Sequence, residues 1–127
     1  MRVSIEHEDK TSGLIFKTHQ TEVAVTVIFS DEEQAVIKSR KLKDTVVLKR
    51  EPNAKEIEKR GAAWVRQNDD LYHLYIRNLT AGKPERFLCD TPIAAKIYEQ
   101  ELTGALKQLK EFLSGNAEIG KAKTFEL

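Results

Sequence analysis

Cysteine is almost missing from this chain: Cys89 is alone among 127 residues. A single thiol excludes an internal disulfide and any zinc site built on several cysteines. Glycine is scarce as well, six in all, and phosphate-cradling loops generally need several close together. No P-loop and no G-x-G-x-x-G occurs, nor the G-x-S-x-G of a nucleophile elbow. An excess of one charge is also lacking. Lysine and arginine number 21 against 20 acidic residues, a formal net charge of +1. The chain therefore has little field to draw it onto nucleic acid or an anionic membrane. Apolar runs fall well short of the ~20 residues of a membrane span. The longest, Val23 to Phe29, is interrupted by Thr26 and alternates like a strand. The first residues turn acidic at Glu6 without the apolar stretch of a signal peptide. With a free thiol, that sets the cytoplasm as the expected location.

What is present suits a folded domain. Hydrophobic residues make up 40% of the chain and charged residues 32%, outside the disordered range. Residues 1–115 are expected to form a single domain. The 116–127 tail has weak periodicity after a helix stop, and is expected to be mobile or loosely docked by Ile119 and Phe125.

Alternation dominates the first thirty residues. Arg2 to Glu8 places Val3, Ile5 and His7 on one side, and Glu22 to Phe29 does the same with Val23, Val25, Val27 and Phe29. Asp9 to Gly13 is turn chemistry, so Leu14 to His19 reads as a returning strand in register Glu8–Leu14 and Glu22 to Phe29 as a third. Ser30-Asp31-Glu32-Glu33 is a capping box. It opens a helix expected to run to Arg40 and to bury Val36 and Ile37. Thr45 to Lys49 predicts a strand and Pro52 to Arg60 a short helix stopped by Gly61. Three more strands, Ala62–Gln67, Asp70–Asn78 and Glu85–Asp90, compose a second expected meander. Thr91-Pro92 caps a long helix whose stripe is Leu102, Leu106, Leu109 and Leu113, flanked by Tyr98, Ala105 and Phe112. Gly104 within it is expected to mark close approach to the sheet. The resulting class is α+β: an antiparallel sheet of about six to seven strands in two meanders, with a long C-terminal amphipathic helix and two short helices packed on it.

The register of the second meander singles out one candidate surface. It opposes Tyr75 to Cys89 and Arg77 to Phe87, and collects Trp64, Arg66, His73, Tyr75, Arg77, Phe87 and Cys89 on one face. Aromatic rings interleaved with guanidinium groups suit an interface or a stacking platform for single strands. The plainer explanation is packing beneath a helix or a second subunit. A basic stretch, Lys38, Arg40, Lys41 and Lys43 followed by Lys49 and Arg50, could meet phosphates; its plainer role is to complement a helix C-terminus.

No catalytic set emerges. His7, His19, His73 and Cys89 lack metal-ligand spacing, so no metal or other cofactor is expected. The leading functional expectation is a non-catalytic protein working through protein contacts, with self-association as a homodimer among the options and no membrane partner. Nucleic-acid binding through the aromatic and basic face comes second because the net charge is near zero. A small enzyme or ligand carrier, with a helix–sheet pocket lined by Cys89, His73 and Tyr75, is third.

Overall fold

A computed structural model describes residues 1–13, 15, 18–50, 54–63 and 73–115. Two long strands come first, β1 (Arg2–Ser12) and β2 (Thr18–Ile28). They are followed by helix α1 (Asp31–Ser39), a 3-10 turn (Leu42–Asp44), strand β3 (Val46–Lys49) and helix α2 (Ala54–Arg60). Strand β4 (His73–Tyr75), the single-turn helix α3 (Ile76–Leu79), strand β5 (Glu85–Cys89) and helix α4 (Pro92–Leu113) complete the order. The class is α+β with antiparallel pairing throughout.

β1 and β2 form one hairpin in which His7 opposes Val23 and Thr11 opposes His19. The expected meander of three strands is therefore a hairpin of two. The reason is chemical: Thr18 to Glu22 holds no glycine, proline or asparagine to turn the chain, and β-branched threonines extend it. The reversal instead follows Gly13, whose φ of 99° is open to glycine.

The second meander does not form among the described residues. β5 pairs with β2, Val23 opposite Phe87 and Thr21 opposite Cys89, giving a three-stranded sheet ordered β1-β2-β5. β4 pairs with β3 in a separate two-stranded sheet. The expected six to seven strands are thus three plus two. Past Tyr75 the chain coils into α3, which buries Ile76 and Leu79, three residues apart on one helical face. The alternation of Leu74 and Ile76 concealed that spacing. Ala62 and Ala63 are helical rather than extended; the rest of the expected Ala62–Gln67 strand, and the 116–127 tail, lie outside the described residues.

The local signals at the helix starts hold. The Ser30 amide donates to Glu33 Oε1 at 2.9 Å and the Glu33 amide to Ser30 Oγ at 3.2 Å. The Ala94 amide donates to Thr91 Oγ1 at 3.0 Å. α1 stops at Ser39 with Ile37 buried and Val36 half-buried. α4 buries the whole expected stripe, Leu102, Leu106, Leu109 and Leu113 with Tyr98, Ala105 and Phe112. Leu102 and Leu109 are fully enclosed, and each contributes ~2 kcal/mol of apolar transfer energy. α4 lies over β2 and β5, on the face of Val23, Val25, Val27, Phe87 and Cys89, and Phe87 meets Tyr98 edge-on at 5.3 Å. Gly104 departs from expectation: a β-carbon there would meet nothing within 4 Å. No described helix is long and apolar enough to cross a membrane.

Candidate functional site

The seven residues of the expected interaction face do not share one surface. Phe87 and Cys89 point from β5 into the core beneath α4 and are buried, while Leu88 is on the opposite side and 41% exposed. Each residue of β5 is placed by its pairing with β2, and that pairing overrides the expected contacts Tyr75–Cys89 and Arg77–Phe87. His73, Tyr75 and Arg77 do gather. The Arg77 guanidinium lies 4.6 Å above the Tyr75 ring, and the Tyr75 hydroxyl is 3.5 Å from His73 Nδ1. Arg77 also donates to Asp44 at 3.1 Å. One face of Tyr75 is therefore occupied by the protein's own cation, and Phe87 offers no exposed ring for a base to stack on. Trp64 and Arg66 lie outside the described residues.

The basic stretch divides in two. Lys38, Lys41 and Lys43 border a single cavity beside α1, whereas Arg40 turns onto the Phe112 ring at 5.4 Å. Lys49 and Arg50 belong to β3 and its end, with Arg50 3.6 Å from Glu101 of α4. The histidines do not converge: His7 Nε2 faces Glu99 at 3.5 Å and His19 Nδ1 faces Thr11 Oγ1 at 3.2 Å. Among the described residues no group of three or more His, Cys, Asp or Glu side chains could hold a metal ion. One cavity between helix and sheet, among the described residues, is lined by residues other than Cys89, His73 and Tyr75.

That cavity lies along β1. It has a volume of about 230 Å³ and is walled by Met1 and Val3 on the strand side and by Thr103, Leu106, Lys107 and Lys110 of α4. α4 packs mainly on β2, β3 and β5, and the inner face of β1 is partly uncovered. Val3 is 39% exposed and Ile5 only half-buried, although both face the helix layer opposite Val27 and Val25. Among the described residues no strand pairs with the outer edge of β1. An edge this long presents a row of unpaired amide and carbonyl groups, the template that strand addition uses.

Charges along the edge alternate by face. Arg2, Glu6, Glu8 and Lys10 project from the side of the sheet opposite α4, and Lys10 pairs with Glu8 at 3.3 Å. Across the hairpin Glu8 stands opposite Glu22, which Arg86 holds at 2.8 Å. The sequence pattern showed the alternation but not that β1 would be an edge.

No family model, no curated protein and no solved structure matches this chain.

Proposed function

We propose that this chain works through protein–protein contact, as a homodimer in which two β1 strands pair edge to edge and join the three-stranded sheets into one. The observation that carries the reading is that, among the described residues, no strand pairs with the outer edge of β1, with exposed Val3 and half-buried Ile5 beside it. Pairing supplies hydrogen-bond partners to the edge and covers apolar area on the helix side.

Symmetry and charge select the register. A two-fold axis perpendicular to the sheet keeps both α4 helices on one side, so side chains of the same face must oppose each other. Centring the axis on Glu6 would oppose Glu6 to its own copy and Arg2 to Lys10. Centring it on His7 would oppose Glu6 to Glu8, and on Glu8 would oppose Glu8 to itself. Like charges directly opposite are destabilising. Centring on Ile5 instead places Arg2 against Glu8, Ser4 against Glu6, Val3 against His7 and Ile5 against Ile5. Centring on Ser4 avoids repulsion too but pairs a shorter stretch. The Ile5-centred register is therefore the proposed one. Because α4 packs mainly on β2, β3 and β5, the helix layer leaves room above the joined edges.

Sedimentation equilibrium of the whole chain tests the reading. A mass twice that of the chain at micromolar concentration supports it. A monomer at every concentration up to the millimolar range overturns it.

A further inference from the structure

The cavity beside α1 is separate from the β1 edge and has its own chemistry. Its volume is about 680 Å³, within the range of small-molecule sites. α1 supplies Asp31, Gln34, Ala35 and Lys38, which recur at helical spacing on one face, and Lys41 follows at the helix end. Lys43 and Asp44 of the 3-10 turn close the far wall.

Lys38, Lys41 and Lys43 all border this cavity, and among the described residues none of them has a carboxylate partner. Asp44 is committed to Arg77 at 3.1 Å, which leaves Asp31 as the lining carboxylate that no cation neutralises. The C-terminal pole of α1 offers about half an elementary negative charge, too little for three cations. The unbalanced charge suits a dianion. Lys41 adds a second observation: its φ is 54°, and it is the one described residue other than glycine in the left-handed region. A lysine there costs more than a glycine would, and it stands where its side chain borders the cavity. Ala35 and Ile37 give the same cavity an apolar wall.

We infer that this cavity binds a phosphate monoester, with Lys38, Lys41 and Lys43 around the phosphate dianion and the organic part against Ala35 and Ile37. Lysines act on phosphate as mobile point charges and need no fixed fork geometry, which fits side chains carried by a helix end and a turn. The inference does not depend on the dimer.

The test is a titration of the isotope-labelled whole chain with phenyl phosphate at low salt, followed by amide chemical shifts. Saturable shifts confined to residues 31–45 and their neighbour Thr80 are expected, with benzoate, a monoanion, binding more weakly. Lys41→Gly keeps the backbone, because glycine accepts a φ of 54°, and removes one cation. Its affinity is expected to fall about fivefold, the worth of one charge pair at ~4 Å in water. Lys43→Ala is expected to lose a similar factor, and Lys107→Ala, at the cavity along β1, none. Shifts that do not saturate, equal binding of benzoate, or unchanged affinity in both Lys41→Gly and Lys43→Ala would overturn the assignment.

Discussion

Exchanging the charges of Arg2 and Glu8 probes the dimer register without touching the core. Both side chains are exposed on the side of the sheet opposite α4. In the Ile5-centred register each Arg2 opposes the partner's Glu8, so every dimer contains the pair twice. An exposed ion pair contributes ~0.5 kcal/mol, and a like-charge pair directly across a ladder costs a similar amount. Arg2→Glu converts two attractions into two repulsions, a change of about 2 kcal/mol, or roughly thirtyfold in Kd. Glu8→Arg has the same predicted effect, and it also meets Glu22 across its own hairpin, so the monomer stays folded. The double exchange Arg2→Glu/Glu8→Arg restores both pairs with the polarity reversed. Sedimentation equilibrium at low salt reads all three Kd values, and the differences should shrink as salt rises. If the double variant associates no better than the worse single variant, Arg2 and Glu8 do not oppose each other and the register is refuted.

Other predictions concern the fold that presents this edge. Gly104→Ala should raise stability by ~1 kcal/mol, because the site has open space for the methyl group and alanine is the better helix former; a loss in chemical denaturation would contradict this. Among the described residues the buried Tyr98 hydroxyl has no hydrogen-bond partner, and burial above all, then the neighbouring Cys89 and Glu101, pushes its pKa far above the usual value. Tyr98→Phe should therefore raise the melting temperature, by about 1 kcal/mol of added stability, and a lower value would mean that the hydroxyl has a structural task. Ser30→Ala should cost ~1 kcal/mol through loss of the capping box. Burial alone would raise the Glu33 carboxyl, but hydrogen bonds from the N-terminal ammonium and Ser30, with the charge of that ammonium, hold it below 4.5. The stabilisation belongs to the ionised form, so it is full above the ordinary carboxylate range and is lost as pH falls through the lowered value. Urea titrations of Glu33→Gln and the parent should accordingly differ at neutral pH and converge in acid.

Local signals were legible in the sequence, and long-range pairing was not. Ser30-x-x-Glu33, Thr91-Pro92 and the leucine stripe of α4 each act within a few residues, where hydrogen-bond reach and helical spacing decide the outcome. Strand partners are a different matter. Phe87 and Cys89 alternate as well for pairing with β4 as with β2, and only the completed sheet shows which edge was open. The same limit governs the candidate surfaces. The lysines of 38–43 are conspicuous in the sequence, yet their division, three at a cavity and Arg40 over Phe112, depends on how α1 meets α4. The edge position of β1 has no local signal at all. Its charged outer residues suit a solvated face and an interface equally well.

Cross-linking reads the contact between two β1 strands directly. In a Cys89→Ser background, Ile5→Cys places two thiols opposite one another at the symmetry axis. Directly opposed residues in an antiparallel pair have α-carbons about 4.5–5.5 Å apart, within disulfide range. Glu6→Cys in the same background sets its thiols on a diagonal of ~7–8 Å, too far to bridge. Mild oxidation should therefore give a covalent dimer of the Ile5→Cys protein and leave the Glu6→Cys protein single. A covalent dimer from Glu6→Cys alone, or from neither protein, would contradict pairing of β1 with its own copy about Ile5.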